Sequence, residues 1–384
     1  MAQRVAVVGF GQTHHKSNRG DVTGIELINE AVRRALEDAE LGPGDIDAVV
    51  IGNMDHFENI NLADMWGVEG TGGYLKPVMK LTTGGTTGTT VAIAGYYHVA
   101  SSLFDVVLAV VSEKNSESDT TGGTITAFDP VWERFSFPGA LPGLALDAVV
   151  YMQKYGVTEK DGARVAVRDR ANAARNPYAH LRDPITVDDV LRSPMLSYPI
   201  KLLDICPRSD GAAALILAGE EKARKICRQP AWIWSVSVCH NYTYTSDVNF
   251  GYLDTLEQAC RETYKKAGIK DPGKEIDVIE MYQPCSFAGL SWLEAMGFCG
   301  PGEAPGLLWD GATDAGGDLP VNPSGGVLNA NPIGATGTIR VGEVARQIQG
   351  RAGACQVPEV KTGLATGFGG CYWSDVLLLG NRPR

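Results

Sequence analysis

The sequence predicts an α/β fold built from two similar halves, on three observations. Short β-branched runs alternate with amphipathic helical patterns. One order of elements, helix, breaker, Ile-Asp, strand, occurs twice, at residues 25–51 and 255–281. Each half then carries a glycine- and threonine- or proline-rich loop that hands over to a helix, followed by a hydrophobic strand. Repeated βαβ patterns of this kind predict mostly parallel sheets covered on both faces.

The elements are justified in chain order. Residues 4–10 form a buried strand ending in Gly9-Phe10-Gly11. This Gly-x-Gly lacks the third glycine of a dinucleotide fingerprint, with His14 in its place, and is a weak sign of a nucleotide site. Residues 24–40 are an amphipathic helix with Ile25, Ile28, Val32, Ala35 and Leu36 on one face, stopped by Leu41-Gly42-Pro43-Gly44. Ile46-Asp47-Ala48-Val49-Val50-Ile51-Gly52 is the next strand. A loop at 82–90, a helix at 91–102 and a strand at 104–112 complete the pattern. A long insert follows at about 113–199, with a polar glycine-rich stretch and the aromatic run Phe128-Asp129-Pro130-Val131-Trp132-Glu133-Arg134-Phe135. Loops of this composition cover a pocket or form a subunit contact. In the second half, a helix at 255–267 breaks at Gly268-Ile269-Lys270-Asp271-Pro272, and Ile276-Asp277-Val278-Ile279-Glu280-Met281 is a strand. The loop at 322–338, a helix at 339–349 and a strand at 375–379 close the copy. The seam lies near 220–230, giving halves of 1–225 and 226–384.

The chain has 384 residues, 44% of them hydrophobic, which supplies a sizeable core. Its net charge of −11, without Lys/Arg clusters, argues against nucleic acid as a partner. The N-terminal Met-Ala-Gln-Arg-Val-Ala-Val-Val-Gly reads as a strand start and not a signal peptide, and no apolar run is long enough to span a bilayer. The eight cysteines form no C-x-x-C pair, which fits reduced thiols in a cytoplasmic protein. No metal-ligand spacing occurs; His56 and His240 are isolated. Trp132, Trp232, Trp292 and Trp373 fit core packing or the wall of a bulky pocket.

The motif Asn322-Pro323-Ser324-Gly325-Gly326, continued by Asn331-Pro332-Ile333-Gly334-Ala335-Thr336-Gly337, needs backbone that turns sharply and leaves amides free at a helix start. It resembles the second active-site loop of the thiolase superfamily, in the sterol-carrier-type and archaeal branches. The resemblance covers nearly the whole chain and implies a five-layered αβαβα arrangement of the two halves. It also marks departures. The family's helix-N-terminal nucleophilic cysteine falls on Gly85 of Thr82-Thr83-Gly84-Gly85-Thr86-Thr87-Gly88. Its activating histidine falls on Asn331, and its C-terminal cysteine on Ala365 of Ala365-Thr366-Gly367-Phe368-Gly369. The family's His-Asp-Cys-Phe or Asn-Glu-Ala-Phe motif is Tyr282-Gln283-Pro284-Cys285-Ser286-Phe287 here.

A tyrosine in that place, with glycine for the nucleophile, is similar to the steroid side-chain retro-aldolases of the superfamily. The resemblance implies cleavage of a bulky β-hydroxyacyl-CoA without a covalent acyl-enzyme, with coenzyme A as substrate moiety and no permanently bound cofactor. Two alternatives stand beside it. One is CoA-dependent thiolysis of a branched or aromatic β-ketoacyl-CoA, of the benzoylsuccinyl-CoA thiolase type, with Cys285 as relocated nucleophile or proton carrier. The other is a non-catalytic scaffold subunit. The implied catalytic residues are Tyr282, Asn331, Cys285 and Tyr372, the last as substitute for a second family tyrosine. Gly84, Gly85, Thr86, Ser324, Gly325, Gly334 and Gly369 are the expected substrate- and CoA-binding positions. The implied partners are a second copy, in a homodimer, and a small zinc-ribbon/OB-fold companion subunit.

Overall fold

The computed structural model describes residues 3–58, 60–137 and 139–384; Met1 and Ala2, at the head of the expected first strand, lie outside them. The strands are β1 (Val5–Gln12), β2 (Ala48–Gly52), β3 (Val78–Leu81), β4 (Val106–Lys114), a small hairpin of β5 (Met195–Ser197) and β6 (Ile200–Lys201), β7 (Asp210–Gly219), β8 (Ala231–Cys239), β9 (Val278–Glu280), β10 (Thr362–Gly369) and β11 (Trp373–Gly380). The helices that position the site are α1 (Gly24–Ala39), α2 (Thr87–Ala100), α3 (Ala140–Tyr155), α4 (Glu159–Ala173), α5 (Asp254–Ala267), α6 (Ala288–Ala295) and α7 (Ile333–Gln349).

Nine strands run in the order β3-β2-β4-β7-β1-β8-β11-β10-β9. The order reads the same from either end: β2, β4, β7 and β1 of the first half answer to β9, β10, β11 and β8 of the second. The halves meet where β1 and β8 pair, over Ala6↔Trp232 and Val7↔Ala231. Three apolar layers separate the elements. One joins α1, through Leu27, Ile28, Val32 and Leu36, to the outer face of the first half. A second holds α2 and α7 between the halves, through Val91, Ile93, Ile339 and Val344. A third packs α3 to α6 on the outer face of the second half. Each fully buried Leu, Ile or Val in these layers contributes roughly 1.5–3 kcal/mol. The result is the expected five-layered duplication.

Three expectations need correction. The sheet is mixed, not mostly parallel: β2 pairs in parallel with β3 and β4, and β10 with β9, but β1–β7, β4–β7, β8–β11 and β10–β11 are antiparallel. A βαβ pattern specifies only the strands flanking its helix. β7 arrives after the long insert and β11 through a tight return, so both run the other way. The counterpart of β4 is therefore β10, not the final strand. Finally, α2 and α7 begin at Thr87 and Ile333, earlier than the apolar periodicity at 91 and 339, because their first turns are glycine and threonine.

Those first turns bring the two loops together. A Cβ on Gly88 would lie 2.5 Å from the amide nitrogen of Thr338, and one on Gly337 would lie 2.5 Å from that of Thr89. The helix N-termini thus touch backbone to backbone, which only glycine permits. Both helix starts, and the loops before them, end at one place.

Candidate active site

A cavity of about 330 Å³ opens at that place, at the small end of the range for ligand sites. The first half gives Met54, His56, Gly84 and Gly85; the second gives Tyr282, Pro284, Asn331, Ile333 and the 368–370 turn. The insert forms a further wall through residues 120–128 and 139–144. Its aromatic run covers the cavity only through Phe128; Val131, Trp132 and Phe135 face solvent.

Asn331 is fixed on several sides. Its side-chain oxygen accepts from the Thr336 hydroxyl at 2.7 Å, and its Nδ2 donates to Cys206 Sγ at 3.1 Å. Its amide donates to Ser209 Oγ at 3.2 Å, and its carbonyl accepts from Ser209 N at 3.3 Å and from Asn115 Nδ2 at 3.2 Å. Tyr282 follows β9; its N–H donates to Thr366 Oγ1 at 2.9 Å and its hydroxyl donates to the Ile333 carbonyl at 3.2 Å. Burial, and then the neighbouring Cys206, push the Tyr282 hydroxyl well above the ordinary phenol range. It is therefore a neutral hydrogen-bond donor, not a base.

Gly85 lies at the vacated nucleophile position. A Cβ there would stand 2.5 Å from the Phe368 carbonyl oxygen. The backbone of β10 occupies the space a cysteine side chain needs.

Of the expected site residues, Tyr282, Asn331, Gly84, Gly85 and Gly369 line the cavity. The others stand elsewhere. Cys285 is buried among Asp147, Tyr151 and Phe287, apart from the cavity, and burial pushes its thiol up to about 12. Its neighbour Pro284 lines the cavity and Cys285 does not, although Cys285 is joined to the Cys206 loop by an isolated bridge to Ile205. Tyr372 is buried against the Phe368 and Phe250 rings, at 5.8 and 6.0 Å, with its hydroxyl toward Gly143. Ser324 and Gly325 belong to the support behind the site. The Ser324 hydroxyl donates to Glu280 at 2.8 Å and accepts from Arg340, which also pairs with Glu280. A Cβ on Gly325 would meet that of Ala173 at 2.5 Å. Gly334 lies against Glu113, and Thr86 turns its hydroxyl back to the Thr83 carbonyl at 2.7 Å.

One residue on the cavity wall, and one behind it, went unread in the sequence. Cys206 lines the cavity, carried by a loop tied to the Tyr282 segment through Cys206 N to Pro284 O at 2.9 Å. Burial holds its thiol up to about 11, against the hydrogen bond from Asn331. In the sequence it is one of eight cysteines, in Ile205-Cys206-Pro207 beyond the long insert, with no motif around it. Glu113, at the end of β4, is fully buried beside Gly334 and accepts from Met54 N at 2.6 Å. Burial and then the charge of Glu58 raise its carboxyl well above the usual range. Among the described residues no group of three or more His, Cys, Asp or Glu side chains is arranged to hold a metal ion, and no helix is long and apolar enough to cross a membrane.

Fold and site together define a thiolase-like enzyme acting on acyl-CoA. The N-terminal thiolase domain model matches residues 5–221 and the thiolase C-terminal domain-like model residues 237–381, so the chain belongs to the thiolase family. It is 33% identical over 380 residues to the acetyl-CoA acetyltransferase of Methanothermobacter thermautotrophicus, covering 95% of this chain and 96% of that one. It is 30% identical over 395 residues to the steroid side-chain-cleaving aldolase of Thermomonospora curvata, covering 98% of each. Among solved structures it is similar to one titled Ltp2-ChsH2(DUF35) aldolase, with a TM-score of 0.85, 28% identity and 98% of each chain covered.

Proposed function

We propose that this chain cleaves the Cα–Cβ bond of a bulky β-hydroxyacyl-CoA by retro-aldol chemistry, without a covalent acyl-enzyme. The observation that carries the reading is at Gly85: backbone fills the place of the thiolase nucleophile, while a cavity remains beside it. Retro-aldol cleavage needs no nucleophile. It needs a thioester oxygen held as negative charge develops on it. The neutral Tyr282 hydroxyl and the Asn331 side-chain amide are donors on the cavity wall: the hydroxyl turns from Ile333, and the amide offers that oxygen the hydrogen it does not give to Cys206. The rigid Asn331 environment lowers the cost of holding the donor in place. Tyr282 and Asn331 are thus the catalytic residues, and Gly84, Gly85 and Gly369 form the backbone edge along which the thioester lies. Cys285 and Tyr372 support the wall from behind.

The similarity to an aldolase structure whose title names a DUF35 partner supports a small companion subunit beside a homodimeric core. We also infer a division of the chain near residue 225 and a cytoplasmic location, consistent with the free thiols.

The test supplies a β-hydroxyacyl-CoA and a β-ketoacyl-CoA, each with and without free CoA. Cleavage of the former without free CoA, lost by 10²–10³-fold in Tyr282→Phe, is the expected result. Strict dependence on free CoA would move the assignment to thiolysis, and no turnover of either would leave a scaffold subunit.

A further inference from the structure

Cys206 is a protic group in the cavity wall to which the preceding reading gives no task. Two contacts fix it there, and others hold Asn331 beside it. Asn331 Nδ2 donates to its Sγ at 3.1 Å. Its own amide donates to the Pro284 carbonyl at 2.9 Å. The Ser209 amide and hydroxyl, three residues on, clasp the backbone of Asn331. Tyr282, the oxyanion donor, is near enough that a charge on Cys206 raises its pKa. Among the described residues lining the cavity, Cys206 is the only thiol and no carboxylate is present. The two positions where the family resemblance expects cysteines hold Gly85 and Ala365.

We propose that Cys206 is the proton shuttle of the cleavage, carrying the β-hydroxyl proton to the α-carbon. This rests on the retro-aldol reading. The thiolate takes the hydroxyl proton as the C–O bond becomes a carbonyl and the Cα–Cβ pair moves into the thioester enolate. The same S–H then protonates Cα, the enolate collapses to the thioester, and the thiolate is restored. No net proton, electron or co-reactant is consumed. One sulfur suffices because the β-oxygen and the α-carbon are both bonded to Cβ, so a single atom beside that carbon reaches both. The Asn331 amide, donating to sulfur, holds the ionised form.

Tyr282 and Cys285, from the 281–287 segment, lie within reach of a charge on Cys206, and the titratable or charged groups sharing its cavity are Tyr282, His56 and Arg208. Burial keeps the thiol near 11, so the thiolate is a minor species at neutral pH and its fraction grows tenfold per pH unit below that value.

The experiment isolates the α-carbon half of the reaction. Acetyl-CoA and propionyl-CoA are incubated with the full-length protein in D₂O, and loss of the α-proton signal is followed by NMR, alongside β-hydroxyacyl-CoA cleavage. Wild type should exchange, with a rate that rises about tenfold per unit from pH 7 to 10; Cys206→Ala should lose about 10²-fold or more at unchanged melting temperature. Alkylation of Cys206 in the folded wild type, judged by its absence in Cys206→Ser, should abolish exchange without any question of folding. Exchange by Cys206→Ala within threefold of wild type, a flat pH profile, or no exchange by wild type would overturn the assignment. Exchange that depends on Cys206 while wild type fails to cleave the β-hydroxyacyl-CoA would instead remove the retro-aldol reading and keep the role of the thiol at Cα.

Discussion

Gly85→Cys restores the residue a thiolase of the usual kind carries, and the structure says it will not restore thiolysis. The added Cβ would stand 2.5 Å from the Phe368 carbonyl oxygen, well inside van der Waals contact. Phe368 cannot give way cheaply. It pairs with Ser374 in a ladder that runs the length of β10 and β11. The loop before α2 must therefore move. That loop is tied by Thr83 N to Thr87 Oγ1 at 3.0 Å, Thr87 N to Gly84 O at 3.0 Å and Thr86 Oγ1 to Thr83 O at 2.7 Å. Overpacking of this kind costs roughly 1–3 kcal/mol. In a chain of this length that is a fall of a few degrees in melting temperature. Displacing Gly84 and Gly85, which border the cavity, by a fraction of an ångström to an ångström should also lower turnover by up to about 10²-fold. Gly85→Ala carries the same Cβ without the sulfur and should behave alike. The assay is a thermal melt with both substrates, with and without free CoA. A Gly85→Cys variant with wild-type stability, or one that gains CoA-dependent cleavage of a β-ketoacyl-CoA, would refute the steric account of the missing nucleophile.

Two further outcomes are expected. Cys285→Ala removes a buried sulfur away from the cavity, so it should cost about 1 kcal/mol of stability and leave turnover within a few-fold of wild type; a large loss of activity without a change in melting temperature would return Cys285 to the site. Asp375 is buried, accepts the Thr89 and Thr90 hydroxyls at 2.8 Å each, and its carboxyl is raised from 3.8 to about 6. The folded chain therefore keeps a proton that the unfolded chain releases, and the stability this contributes is present below about 4 and lost as pH rises to about 6. Asp375→Asn, which imitates the protonated form, should flatten the dependence of melting temperature on pH in that window, and a variant that tracks wild type across it would remove Asp375 as the cause.

Local periodicity and turn chemistry were enough to place α1, β2 and α5, to reveal the duplication, and to mark the 322–338 loop as a sharp turn into a helix start; the family resemblance added the loop at 82–90. These are properties of contiguous residues: an apolar stripe at helical spacing, a breaker, a run of branched side chains. The motif positions likewise made Gly85, Tyr282 and Asn331 visible before any coordinates. What stayed hidden needed contacts between residues far apart in the chain. The antiparallel return of β7 and β11 depends on which strand edge is open when each arrives, and no local pattern encodes that. Cys285 and Cys206 are alike as letters in the chain, yet the packing buries one thiol among Asp147, Tyr151 and Phe287 and leaves the other on the cavity beside Asn331. Ser324 and Gly325 sit in a motif read as ligand-binding, but the buried Glu280–Arg340 pair claims the serine and Ala173 the glycine. Sequence alone determined which residue types were available to the site; only the packing of α2 against α7 decided which of them share a cavity, because glycine-to-glycine contact of two helix starts is a fact about distance in space.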